Sequence, residues 1–138
     1  MLKHTYSILL ADDDAEDQEI LKDALLIGEA NLTVDSVFNG GEVITFLNAC
    51  NDSRLPCLIV LDYKMPLLNA EEVLAILGGN ARYKNIPKVV WSTSGQPEHI
   101  EKCINKGAAR YFVKPASGAE ARLVAGEMIK ICKMHLKA

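Results

Sequence analysis

Five short apolar runs, each followed by a segment of helical periodicity, constrain what this chain can fold into more than any other feature. The sharpest run is Cys57-Leu-Ile-Val-Leu61, closed by Asp62. A strand with one wet face alternates apolar and polar residues. An unbroken apolar run this short therefore reads as a strand covered on both faces, as in a parallel sheet. Tyr6-Ser-Ile-Leu-Leu-Ala11 has the same character and stops at Asp12-Asp13-Asp14. Thr33 to Phe38, Pro87 to Trp91 and Arg110 to Val113 complete the set of expected strands.

Helix signals fill the intervals. Asp14 is an N-cap with Glu16 and Asp17 in the first turn, and Ile20, Leu21, Ala24 and Leu25 form an apolar face that ends at Gly28. Asn39 to Glu42 and Asn69 to Glu72 have capping-box spacing. The first opens a stripe of Val43, Phe46, Leu47 and Cys50, broken by Asn51-Asp52-Ser53; the second opens a helix burying Val73, Leu74, Ile76 and Leu77. A helix from Pro97 to Lys106 carries Ile100, Cys103 and Ile104, and Gly107 closes it. Ser117 caps a last helix running to about Lys133, with Val124, Met128 and Ile131 inward. The expected fold class is α/β: (βα)5, a doubly wound five-stranded parallel sheet of flavodoxin-like or CheY-like type, strand order 2-1-3-4-5, with right-handed crossovers. Residues 1–138 are expected to form one domain, since 138 residues suit one core and neither linker nor repeat interrupts the alternation.

Composition narrows the function classes. A net charge of -3 with scattered positives disfavours nucleic-acid binding, which needs a basic stripe. No apolar run approaches the ~20 residues of a membrane span, and the opening segment, with Lys3, runs into aspartates rather than a cleavage site. Cys50, Cys57, Cys103 and Cys132 form no CxxC pair and are expected to be reduced, which makes the cytoplasm the expected compartment.

In an open parallel sheet the active site lies beyond the carboxyl ends of the strands. Here those ends carry Asp12, Asp13 and Asp14, then Asp62, Ser92 and Lys114. Taken singly, the aspartates read equally well as turn or cap residues, and Ser92 and Lys114 read better as a turn residue and a surface charge. Together they carry chemistry. Crowded carboxylates need positive charge to stay ionised, and a hard cation such as Mg²⁺ with oxygen ligands supplies it. A lysine adds a second charge and a serine a hydroxyl. A carboxylate nucleophile with these partners can accept a phosphoryl group. Asp62, alone at the end of the central run, is the natural nucleophile, leaving the aspartate triplet for the metal.

Four segments resemble a response-regulator receiver domain: Ile-Leu-Leu-Ala-Asp-Asp-Asp at 8–14, Leu-Ile-Val-Leu-Asp-Tyr-Lys-Met-Pro at 58–66, Ile-Pro-Lys-Val-Val-Trp-Ser at 86–92, and Gly-Ala-Ala-Arg-Tyr-Phe-Val-Lys-Pro at 107–115. The spacing from Asp62 to Ser92 to Lys114 fits the family. The resemblance implies that Asp62 is the phosphorylated residue. It implies that Asp12, Asp13, Asp62 and the backbone carbonyl of Lys64 hold Mg²⁺. Ser92 matches the switch hydroxyl, Lys114 the lysine that pairs with the phosphoryl group, and Tyr111 the aromatic switch residue. The Lys64 side chain, Thr93 and Ser94 would modulate access. The implied partners are a sensor histidine kinase or histidine phosphotransfer protein, a downstream protein target, and a second copy of the chain through the face of the fourth helix, fifth strand and fifth helix. Glu98, Glu101, Lys102, Lys106 and Arg122 belong to that face. The chain would catalyse only its own phosphorylation and dephosphorylation. With room for one helix after Lys114, output is expected through the receiver surface itself. Ala70 departs from the family's usual glycine.

Three other readings compete. A receiver-fold interaction module independent of phosphate is disfavoured by the full set Asp12, Asp13, Asp62, Ser92 and Lys114. A haloacid-dehalogenase-type phosphohydrolase would use Asp12 as nucleophile, but Glu16 replaces its threonine and the chain lacks room for a cap. A flavodoxin-like flavin site is disfavoured because aspartates after the first strand repel phosphate.

Overall fold

The computed structural model describes residues 6–137; residues 1–5, Lys3 of the opening segment among them, and residue 138 lie outside the description. The elements are β1 (Tyr6–Ala11), α1 (Ala15–Gly28), β2 (Leu32–Val37), α2 (Gly40–Ala49), β3 (Leu58–Leu61), α3 (Ala70–Gly78), β4 (Lys88–Ser92), α4 (Pro97–Asn105), β5 (Arg110–Val113) and α5 (Gly118–Lys137). All strand pairs are parallel, in the order β2-β1-β3-β4-β5, as the alternation of signals requires.

The pleat of the sheet divides the core in two. Leu9, Ala11, Ile59, Leu61 and Val90 face α2, α3 and α4, where Val43, Leu47, Val73, Leu74, Leu77 and Cys103 meet them. Ile8, Leu10, Leu58, Val60, Val89 and Trp91 face α1 and α5, against Leu21, Ala24, Leu25, Ala125, Met128 and Ile129. Successive side chains of one strand enter opposite cores, which is why β1 and β3 are apolar almost throughout.

The caps follow the sequence with one variation. Asn69 and Glu72 close both arms of a capping box. Asn39 accepts from the Glu42 N–H, but the Glu42 carboxylate takes the N–H of Phe38 instead of that of the cap. Gly40, the first residue of α2, lies where a Cβ would overlap the backbone carbonyl of Leu68 in the β3–α3 loop. That loop turns at Leu67, whose φ is 70°. Ala70 is buried and begins α3 with its N–H on the Tyr63 carbonyl at 3.1 Å.

Several expectations need correction. β2 starts one residue early, at Leu32, and Phe38 falls outside it, exposed. Ile20 and Ile76 are exposed, because each sits at the edge of its helix's apolar arc. In α5, Met128 is inward as expected, but Ala121, Ala125, Ile129 and Cys132 carry the rest of the face; Val124 and Ile131 are half-buried, and the helix continues to Lys137. The four cysteines do not all stand apart: Cys57 and Cys132 face each other with Cα atoms 5.0 Å apart, a separation that a disulfide can span, while Cys50 and Cys103 are free. The pair is 75 residues apart in sequence and meets because α5 crosses the foot of β3. Lys88 is buried at the start of β4, with its ammonium on the carbonyls of Tyr83 and Lys84.

Gly40→Ala should destabilise the protein by about 2–4 kcal/mol in chemical denaturation, since backbone rather than a flexible side chain must yield. Gly41→Ala, whose added Cβ would meet only side-chain atoms, at 3.3 Å or more, should stay within about 1 kcal/mol of the parent. Equal effects at the two glycines would show that the Gly40–Leu68 approach is not tight.

Candidate functional site

Three backbone hydrogen bonds extend the sheet ladder by one residue at its carboxyl edge. Asp12 donates its N–H to Val37 at 3.2 Å, Asp62 to Ala11 at 2.9 Å, and Lys114 to Ser92 at 2.7 Å. Ala11 pairs with Leu61 and Ser92 with Val113, so the polar residues that follow these strands stand side by side. Adjacent strands are ~4.8 Å apart, close enough for side chains at neighbouring ends to touch.

Their carboxylates do converge. Oxygens of Asp12, Asp13 and Asp62 lie within 4.8 Å of one another. Asp12 is fully buried, Asp62 is 7% exposed and Asp13 is open to solvent. One Asp12 oxygen accepts the Asp14 N–H at 2.9 Å. The other is buried without a directed hydrogen bond, in charge contact with the Lys114 ammonium at 2.8 Å. Burial, only partly offset by Lys114 and the Asp14 N–H, pushes the Asp12 carboxyl up to about 6, and the neighbouring Asp62 charge adds to the rise. Lys114 also donates to Asp17 at 2.8 Å and to Asp62 at 3.2 Å. Burial opposes its charge, but the close Asp12 and Asp17 carboxylates prevail, with Asp62 adding to them, and raise the ammonium above the ordinary lysine range.

Two of these contacts were not expected from sequence. Asp17 reads there as a first-turn acid of α1, yet it reaches Lys114 across 97 residues. Its position one helical turn beyond Asp13 was the available signal. Gln18 is buried, and its amide donates to the carbonyls of Asp12 and Val37, both at 2.7 Å, pinning the end of β1 to β2.

A second network runs from Ser92. Its hydroxyl oxygen accepts the Ser94 N–H at 3.2 Å, and the Ser94 carbonyl accepts the Tyr111 hydroxyl at 2.6 Å. Ser94 Oγ is also 2.6 Å from His99 Nδ1, and the His99 ring stacks on Tyr63 with centroids 4.1 Å apart. The Tyr63 hydroxyl in turn donates to Glu71. Ser92 and Tyr63 are buried, Tyr111 half-buried, and Lys64 and Thr93 exposed. Lys64, Thr93, Ser94 and His99 line the same cleft of about 520 Å³ as Asp13, Asp17, Asp62, Ser92 and Lys114.

The cleft thus joins a nucleophile-capable carboxylate, a buried ammonium, a hydroxyl and an acidic cluster. Asp12, with a buried oxygen lacking a directed partner, and the two carboxylates beside it fit a hard divalent cation, whose preferred ligands are oxygens. Asp62 faces the cleft, whereas Asp12 does not line it.

Residues 8–125 match the response regulator receiver domain family. The chain is 25% identical to the two-component response regulator ARR8 of Arabidopsis thaliana over 140 residues, covering 91% of this chain and 61% of that protein. It is 30% identical to the two-component response regulator ORR12 of Oryza sativa subsp. japonica over 108 residues, covering 78% of this chain and 85% of the relative. Thus the chain spans about three-fifths of the first curated relatives and most of the shorter ones. Among solved structures, that of the phosphorylated cyanobacterial phytochrome response regulator RcpA superposes with a TM-score of 0.85 at 25% identity, covering 94% of this chain and 95% of that one.

A cation in this cluster requires Asp12 ionised, and the buried acid holds its proton to about pH 6. Binding should therefore release a proton at acidic pH and strengthen as pH rises. The apparent Mg²⁺ affinity should increase roughly tenfold from pH 5 to 7 and then level off. Titration followed by Trp91 fluorescence at each pH checks this, and a flat profile would contradict a buried Asp12 among the ligands.

Proposed function

Since the chain belongs to the response regulator receiver domain family, we propose that Asp62 is its phosphorylated residue and that residues 1–138 act as one receiver unit. The protein is a phosphoacceptor of two-component phosphorelay signalling, and the chemistry assigned to it is its own phosphorylation and dephosphorylation. Among the described residues no helix is long and apolar enough to cross a membrane.

The observation that carries the assignment is the Lys114 ammonium on Asp62, in a cleft that Asp62 enters and Asp12 does not. An Asp62 oxygen attacks the phosphorus of a phosphohistidine on a kinase or phosphotransfer protein. The P–N bond breaks, its electron pair stays on the imidazole, and an acyl phosphate forms. Lys114 offsets charge on the transferring oxygens, and the Ser92 hydroxyl turns to donate to one of them. Asp12, Asp13, Asp62 and the Lys64 carbonyl would hold Mg²⁺, which supplies two further positive charges for the same purpose. Water later cleaves the acyl phosphate, returning the carboxylate and inorganic phosphate. Thr93, Ser94 and the Lys64 side chain, at the mouth, govern access by that water.

Output follows the second network. When Ser92 turns, its hold on the Ser94 N–H loosens, and Ser94 carries the carbonyl that anchors Tyr111. Tyr111 then favours an inward rotamer, and the face of α4, β5 and α5 changes its contacts with a downstream protein or a second copy of the chain. Glu98, Glu101, Lys102, Lys106 and Arg122 are exposed there, with Ile104, Val113 and Leu123 as exposed apolar neighbours.

Incubation with Mg²⁺ and acetyl phosphate should add about 80 Da at Asp62, and Asp62→Asn should gain none. Intact mass and peptide mapping read both. Equal labelling of Asp62→Asn, or a label on Asp12 as in a haloacid-dehalogenase-type hydrolase, would overturn the assignment. NMR shifts induced by beryllofluoride should extend to Tyr111 and α4, and shifts confined to the cleft would remove this output route.

A further inference from the structure

Lys114 is fully engaged before any phosphoryl group arrives. An ammonium has three N–H donors. Around this one stand three carboxylates: Asp12 and Asp17, each at 2.8 Å, and Asp62 at 3.2 Å. Only the last two accept directed hydrogen bonds, and the shorter goes to Asp17. All three carboxylates compete for the same ammonium, so a phosphoryl oxygen on Asp62 gains its full contact with Lys114 when one of them gives way.

Their surroundings decide which. Asp12 is fully buried and tied to the Asp14 N–H, with no other place for its charge. Asp62 bears the phosphoryl group and moves with it. Asp17 stands on the first turn of α1 with its side chain 30% exposed, so it can rotate into water and be resolvated at small cost. Asp17 also lines the cleft beside Asp62, where its negative charge opposes an incoming phosphoryl group.

We propose that Asp17 is a positioning residue that holds Lys114 in the resting cleft and must release it when the phosphoryl group arrives. The Asp17–Lys114 pair thereby sets how tightly the cleft holds that group. The inference rests on Asp62 being the phosphorylated residue, and it concerns an exchange of hydrogen-bond partners, not a new bond. In the resting state Asp17 keeps the lysine extended over Asp62; in the phosphorylated state it is a competitor. Removing its charge frees one ammonium N–H for the phosphoryl oxygens and lowers the repulsion they meet.

The test is the affinity for beryllofluoride at saturating Mg²⁺, read by Trp91 fluorescence, with Asp62→Asn as the blank. Asp17→Asn and Asp17→Ala should each bind the mimic about three- to tenfold tighter than the parent, the scale expected for losing one charge-assisted competitor at a partly exposed site. Asp17→Glu should return the affinity toward the parent value. In a Lys114→Ala background the gain from Asp17→Asn should shrink to well below that in the parent, because only the charge repulsion remains once the pair is gone. Unchanged or weaker binding in folded Asp17→Asn and Asp17→Ala would overturn the proposal, as would an equal gain in the Lys114→Ala background. If the parent itself fails to bind, or Asp62→Asn binds equally, the phosphorylation site is wrong and the proposal falls with it. Binding by the parent alone, with no Asp17 effect, leaves the site standing and removes only the role of Asp17.

Discussion

One lysine ammonium set among carboxylates governs the carboxyl edge of this sheet. Lys114 contacts Asp12, Asp17 and Asp62, and Asp13 completes the cluster. Four acids against one buried cation leave the cleft short of positive charge. The shortage is visible in Asp12, which burial holds partly as the neutral acid. A divalent cation held by Asp12, Asp13 and Asp62 would relieve it, and Lys114 is the charge that the chain itself supplies. The same shortage makes the site responsive, because each arriving or departing charge must rearrange the hydrogen bonds of the ones already present.

The sheet allows that rearrangement to be local. β1 and β3 are buried on both faces, and their ends are held by ladder hydrogen bonds, with Gln18 adding two more. Asp12 and Asp62 therefore have little freedom, and their carboxylates are held in fixed positions at the carboxyl edge of the sheet. Gly40 against Leu68 and the turn at Leu67 fix the β3–α3 loop on the same side. The other side is built differently. β5 is the edge strand, with Arg110 and Val113 exposed and Tyr111 half-buried. α4 has no side-chain N-cap, and its one buried residue is Cys103. Movement costs least where fewest apolar contacts break, so the α4–β5 side is the part of the fold that yields most readily.

The chain from Ser92 through Ser94 to Tyr111, with His99 and Tyr63 joined to it, connects the cleft to that side. Tyr63 is next to Asp62, and His99 is on α4. Their stacked rings place the cleft and α4 in direct contact without passing through the strand.

The architecture and the strand-end residues were legible in the sequence because both are local properties. An apolar run such as Leu58–Leu61 needs burial on both faces wherever it lies, and Asn69 with Glu72 caps a helix using atoms three residues apart. Once the sheet is parallel, Asp12, Asp62, Ser92 and Lys114 must fall on one edge. Tertiary structure alone decided what these groups do to one another. It buried Asp12 and left Asp13 wet, though the two are neighbours of the same type. It brought Asp17 to Lys114 across 97 residues and Cys57 to Cys132 across 75, and it stacked Tyr63 on His99. Each of these depends on how a helix crosses the sheet and on which of its faces turns inward at a given turn. Local periodicity sets that face only to within a residue or so, as the exposed Ile20 and Ile76 show. A hydrogen bond depends on tenths of an ångström, which only the packed chain determines.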